Sequence, residues 1–124
     1  MSEDGAAREW RFYIEDMITF CQRVQSFTQG ITREEFVNEP MRYDATVRNI
    51  ELIGEAATHV PSNIRQAAQN IPWRMVIAAR NQLIHGYAGI DNDILWSMIE
   101  TDIPALLSAL LEMRKTQEFG GLMG

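Results

Sequence analysis

The sequence predicts an all-α fold, a single bundle of about five to six helices. Three observations predict it. Apolar residues recur at three- and four-residue steps over most of the 124 positions. No segment alternates apolar and polar residues with the period of two that a half-buried strand needs. Glycine, proline and capping residues fall between the apolar stripes, at spacings that suit helices joined by short turns.

The first stripe is Ile14, Met17, Ile18, Cys21 and Val24, on a helix from about Ala6 to Phe27. Gly30 stands in the usual stop position behind it. Thr32 followed by Glu35 forms a capping box and opens a short helix that Pro40 closes. A third helix, from about Tyr43 to His59, carries Val47, Ile50, Ile53, Gly54 and Ala57 inward. Pro61 and Ser62 start a brief fourth helix. Pro72 starts a fifth, Trp73 to about His85, with Gly86 and Gly89 bracketing its end. Asp91 to Asp93 place negative charge at the start of a last helical region reaching about Lys115, with Pro104 a bend or restart. Neither an internal repeat nor a linker divides the chain. One domain over 1–124 is expected, its core about 8–115 and its tail "EFGGLMG" frayed.

Composition bounds the function. An apolar share of 46% is that of a folded domain. No apolar run approaches the roughly 18 residues of a membrane span, and the acidic start "MSEDGAAREW" is unlike a secretory signal, so no membrane is expected. Cys21 is the single cysteine; a reducing cytoplasm is its natural setting, and a small core residue its natural role. The net charge of −6 does not advertise a nucleic-acid surface. Apart from Lys115 the basic residues are all arginines, scattered along the chain, so any phosphate contact is local, made by a few planar forks in one cleft. There is no phosphate loop, no dinucleotide fingerprint and no zinc-ligand spacing, and no cofactor or metal is expected. Glu51 and Glu55, one turn apart, suit a divalent ion or, more ordinarily, a solvated or arginine-paired face.

One stretch carries more chemistry than a helix end requires: "RNQLIHGY", residues 80 to 87. At about 100° per residue, Asn81 and His85 lie nearly above one another, whereas Arg80 sits roughly 140° around from His85. Simple helical geometry does not place Arg80 and His85 on one face; a long arginine can sweep partly around the helix, and a second copy across a two-fold axis can also bring the two residue types together. A histidine at a helix C-terminus is drawn towards its protonated form and can move protons near neutral pH. An arginine can stabilise a phosphate whose charge builds in the transition state, and Asn81 can orient the imidazole or a phosphate oxygen. With the ribose 2′-hydroxyl as internal nucleophile, these groups suffice for RNA cleavage without a metal. The plain alternative, a helix cap whose polar residues face water, stands beside that reading. Trp73 suits a core anchor or a base-stacking platform; Glu55 is placed to reach Arg80 or simply to face solvent; His59 is most simply a helix-end residue.

"RNQLIHGY" also resembles the R-x-x-x-x-H-x-Y motif of the HepT-like toxins of the HEPN superfamily. "VRNIELIGEAATHVP" before it, "IPWRMVIAARNQLIHGYAGID" around it and "ILWSMIETDIPALLSAL" after it resemble that family in order and spacing, over roughly residues 8 to 115. The resemblance implies an all-α HEPN bundle forming a homodimer or a higher even oligomer, with the two motifs facing each other. It implies a metal-independent endoribonuclease toxin acting on RNA. Its implied partner is an MNT-type nucleotidyltransferase antitoxin, which silences the toxin by transferring AMP to the motif tyrosine. Carried over by position, Arg80 and His85 are catalytic, Asn81 supports them and Tyr87 is the modified hydroxyl. A reading from another class is a non-catalytic helical subunit that docks the nucleotidyltransferase.

Overall fold

In the computed structural model, residues 3–85 and 89–123 are described, and among them the side chains of 9–79, 81 and 89–116. These residues form α1 (Glu3–Thr28), α2 (Arg33–Val37), α3 (Pro40–Thr58), α4 (Ser62–Ala67), α5 (Trp73–His85), α6 (Asn92–Ser97) and α7 (Ile103–Met123). A π-helical turn, Met98–Asp102, joins α6 to α7, so the three make one rod and the bundle has six helical rods among the described residues. No strand is present among them. The all-α fold read from the sequence is the fold observed.

The core follows the stripes. Met17, Cys21 and Val24 of α1 and Ala57 of α3 are wholly inaccessible, and Ile14, Ile18, Ile50 and Ile53 nearly so. Full burial of such a side chain contributes about 1.5–3 kcal/mol. The paired long helices α1 and α3, with α7 laid against α1, therefore hold the molecule together. Burial pushes the Cys21 thiol up to about 12, so it is a protonated packing residue, as its surroundings in the sequence suggest.

The end of the α1–α3 pair where α1 stops and α3 starts is fastened by polar groups. Arg42 Nη1 donates to the Phe27 carbonyl at 3.1 Å, placing a cation at the negative end of α1, and its Nε pairs with Glu39 Oε2 at 2.7 Å. Gly30 turns the chain at φ +75, where a side chain would be strained. The capping box forms as expected. Thr32 Oγ1 accepts from the Glu35 amide at 3.1 Å, and Glu35 Oε1 accepts from the Thr32 amide at 3.0 Å.

Three expectations shift. Pro40 does not only close α2; it is the first residue of α3, which begins before Tyr43 because a fixed φ and a missing N–H cost nothing there. The last helix passes Lys115 and runs to Met123, beyond the bound expected; no proline follows Lys115 to remove a backbone donor. The rod Asn92–Thr116 has an 18-residue window of mean hydropathy 1.5, enough by length and composition to cross a membrane. Reading for unbroken apolar letters missed it, because Glu100 and Asp102 interrupt the run without outweighing it. Its Leu95, Ile99, Ile103, Leu106 and Leu110 are buried in the core, as in the central helix of a bundle.

Pro104 explains the π turn. Its ring cannot donate and would meet the carbonyl four residues back in a regular helix. The wider turn before it is closed instead by the Ile103 amide on the Met98 carbonyl, five residues apart.

Candidate active site

α5 starts on a fixed post. Pro72 precedes it, and the buried Trp73 donates its Nε1–H to the Ala68 carbonyl at 3.1 Å. Trp73 is thus the core anchor of the two readings left open for it. From there α5 returns along α3, since Ile50 and Ile53 of α3 line the same groove as Met75, Val76 and Ala79 of α5.

α5 is buried on one side only. Val76, Ile77 and Ala79 are half-buried, whereas Arg74, Met75, Ala78 and Asn81 are exposed. α3 is the helix it chiefly packs on. Its open side borders a groove of about 450 Å³, whose far wall is the α6–π–α7 rod with Ile94, Ser97, Met98, Ile103 and Leu106. Met75 is 49% and Ile94 47% exposed at its mouth, and the carboxylates Asp93 and Asp102 stand on its rim.

The motif sits at the end of this helix. Arg80, Asn81 and His85 all belong to α5, within five residues and about 7.5 Å of helical rise. Asn81 is exposed. By register, position 85 follows the exposed Ala78 by seven residues and continues the open stripe, while position 80 lies more than a third of a turn away from it. The side chains of Arg80 and His85 lie outside the described residues, and so does Tyr87 entirely.

Each member of the acidic pair of α3 has a basic residue beside it on the same helix or its cap. Glu51 Oε2 pairs with Arg48 Nη1 at 3.5 Å, and Glu55 Oε1 with His59 Nε2 at 3.4 Å. The His59 ring is stacked on Tyr13 of α1, with ring centres 4.7 Å apart and planes at 14°, so His59 does more than end a helix. Among the described residues no group of three or more His, Cys, Asp or Glu is placed to hold a metal ion.

Beyond the motif, the chain is re-caught by polar contacts, the first at the acidic helix start that the sequence marks. Asp91 Oδ1 caps α6, accepting from the amides of Asp93 and Ile94 at 2.9 and 3.2 Å. The Tyr43 hydroxyl, in the first turn of α3, donates to Asn92 Oδ1 at 2.5 Å. Burial, and then the neighbouring Asp44 carboxylate, push that hydroxyl above its ordinary pKa. Arg33 of α2 pairs with Asp93 at 2.6 Å on the surface. Such contacts, 49 and 60 residues apart in sequence, carry no local signal.

Residues 17–113 match the family described as "Ribonuclease HepT-like". The chain is 33% identical over 108 residues to a protein of Thermococcus cleftensis named "Probable ribonuclease HepT", covering 87% of this chain and 98% of that one. It is 34% identical over 99 residues to a protein of Methanocaldococcus jannaschii named "Putative RNase", covering 80% and 91% respectively. A protein of Caldanaerobacter subterraneus subsp. tengcongensis, again named "Putative RNase", is 32% identical over 108 residues, covering 87% and 96%. No solved structure matches the chain.

Proposed function

The chain belongs to the ribonuclease HepT-like family, and we propose that it is the metal-independent endoribonuclease toxin of a two-gene system, silenced by AMP transfer to Tyr87. Membership makes it a ribonuclease, with RNA as substrate. The finer reading is carried by one observation: the helix bearing Arg80, Asn81 and His85 keeps an open side, on which Asn81 is exposed.

The mechanism uses three groups. His85 of one subunit takes the proton of the ribose 2′-hydroxyl as that oxygen bonds to the adjacent phosphorus, and His85 of the other subunit protonates the 5′-oxygen as the P–O5′ bond breaks, leaving a 2′,3′-cyclic phosphate. Arg80 grips the non-bridging oxygens as their charge builds, through the fork that suits phosphate. Asn81 orients the imidazole or a phosphate oxygen. No metal enters these steps.

The site is a dimer's. Positions 80 and 85 diverge by roughly 140° on one helix, and a second copy across a two-fold axis near the last turns of α5, bordering its open side, brings the two residue types together in one cleft. The apolar groove beside Met75 and Ile94 supports this face as the seat of the second copy. Two copies of Arg80 also concentrate positive potential in a chain whose net charge is −6. AMP on Tyr87, two residues past His85, adds bulk and a phosphate that competes for Arg80. The cytoplasm, where RNA and a partner nucleotidyltransferase meet, is the compartment this reading requires.

The experiment is RNA digestion by the purified protein in excess chelator, before and after co-expression with an MNT-type nucleotidyltransferase. Cleavage in chelator, lost together with the gain of one AMP mass on the Tyr87 peptide, is the expected result. Cleavage that stops in chelator overturns the metal-free mechanism. Stable complex formation with no cleavage under any condition favours the docking-subunit reading instead.

A further inference from the structure

α5 carries an arginine that neither the fold nor the motif uses. Among the described residues Arg33, Arg42, Arg48 and Arg114 each pair with a carboxylate, and Arg11 and Arg23 each lie over an aromatic ring. Arg65 of α4 is half-buried. Arg74 is exposed, and among the described residues it makes no ion pair, hydrogen bond or ring contact. Helix stability does not account for it either. It is the second residue of α5, whose first turn holds no acidic side chain. A cation there stands against the positive pole of the helix dipole, so an uncharged residue would suit the fold better.

Its place on the helix is what matters. Arg74 and Asn81 are seven residues apart on α5, almost two full turns, so they lie within about 20° of one line. Ala78 falls between them. All three are exposed, and Ala78 has only a methyl group to hold a strand off the helix. The stripe leads to position 85, which Arg74 precedes by about 16 Å of helical rise. At about 3.4 Å per nucleotide of a helical strand, that is roughly five nucleotides, and fewer when the strand is extended.

We infer that Arg74 binds a phosphate of the RNA a few nucleotides from the one that is cleaved, so that the exposed stripe of α5 is a track for the strand. The planar fork of arginine suits a phosphate oxygen pair. A chain of net charge −6 repels the RNA backbone over much of its surface, and an unpaired guanidinium on the motif's own helix is where the strand is held. The spacing from the cleaved phosphate rests on the function proposed above; the binding of a strand by Arg74 does not.

The test compares Arg74→Gln and Arg74→Lys with Arg48→Gln, which removes an equal charge from an exposed position on α3. The probes are an RNA decanucleotide, a dinucleotide, and the all-2′-deoxy decanucleotide, which lacks the nucleophile and stays intact. Arg74→Gln should weaken binding of the deoxy strand about two- to fivefold, the worth of one exposed charged contact. It should also reduce the slope of log affinity against log salt by about 0.7, one phosphate contact fewer. Arg74→Lys should keep the slope and recover part of the affinity. Arg48→Gln should change neither. In cleavage, the wild type should gain kcat/KM on going from the dinucleotide to the decanucleotide, chiefly through KM, and Arg74→Gln should lose that gain. Its melting temperature should equal or slightly exceed that of the wild type, because a cation has left the positive pole of α5. Equal losses in Arg74→Gln and Arg48→Gln would reduce the effect to net charge and overturn the inference. So would a marked fall in melting temperature, or weaker self-association with strand binding unchanged, either of which assigns Arg74 to the fold or to an interface. A wild type with no measurable affinity for the strand overturns it as well. If the wild type binds the strand and cleaves no RNA, the proposed function fails, while the binding comparison still decides the role of Arg74.

Discussion

α1 and α5 are both amphipathic helices packed on α3, yet they are held in opposite ways. α1 puts five side chains at 3% exposure or less into the core: Ile14, Met17, Ile18, Cys21 and Val24. α5 buries Trp73 at its first residue, and along the rest of its described length Val76, Ile77 and Ala79 are only half-covered. One helix is there to make the fold. The other is fixed at its root and left bare along one side, which suits the reactive end proposed for it.

The largest effect that would sharpen this contrast is on rate. His85→Ala should lower RNA cleavage by about 10²- to 10⁴-fold, the usual loss of a general acid–base group. It should leave the helical circular dichroism and the melting temperature near those of the wild type, because alanine at a helix end creates little strain and no large cavity. A well-folded variant with wild-type activity would remove His85 from the mechanism.

A matched pair of deletions tests stability. Leu110→Ala empties a fully buried site in α7 and should cost about 2–5 kcal/mol. Met75→Ala on α5, where half the side chain already meets solvent, should cost about 1 kcal/mol or less in the monomer. It should instead weaken self-association, read by light scattering across a dilution series. Equal losses of stability would show that the side of α5 is not open, and the comparison would break.

How much of this was legible in the sequence depends on the range of the interaction that decides it. The buried stripes of α1 and α3, the Thr32–Glu35 box and the Trp73 start of α5 are set by neighbours within a turn or two, and they stand where the spacing puts them. Pro40 and Pro104 were visible as breaks, but a proline opens a helix or widens a turn as readily as it ends one, and only the surrounding chain chooses. Tyr43 with Asn92 and Arg33 with Asp93 were not legible, since nothing at Tyr43 announces a partner 49 residues away. The motif was found by its resemblance to a family. Geometry read from the sequence gave the angular mismatch of Arg80 and His85 and left the helix-cap reading open; the described residues fix their helix and register and do not include their side chains.

The smallest effect concerns a contact far from that helix, and pH reveals it. Glu35 accepts hydrogen bonds from Thr32, first through its backbone amide and then through its side chain, and these hold its carboxyl below the ordinary range, with Arg42 adding a lesser pull. A carboxylate whose pKa is lowered on folding stabilises the folded state at any pH above its unfolded value, and that contribution fades as pH falls through the folded one. The stabilisation should therefore be intact at neutral pH and lost under acid conditions, below the ordinary glutamate range. Glu35→Gln keeps an acceptor but has no proton to gain. The difference in melting temperature between wild type and Glu35→Gln should be small near pH 7, with the wild type ahead, and should close on acidification. Because Glu35 is fully exposed, solvent screening keeps the gap slight and added salt should narrow it further. A gap that widens as pH falls would mean that the charge of Glu35 opposes folding, and the capping box would not be what holds α2 in place.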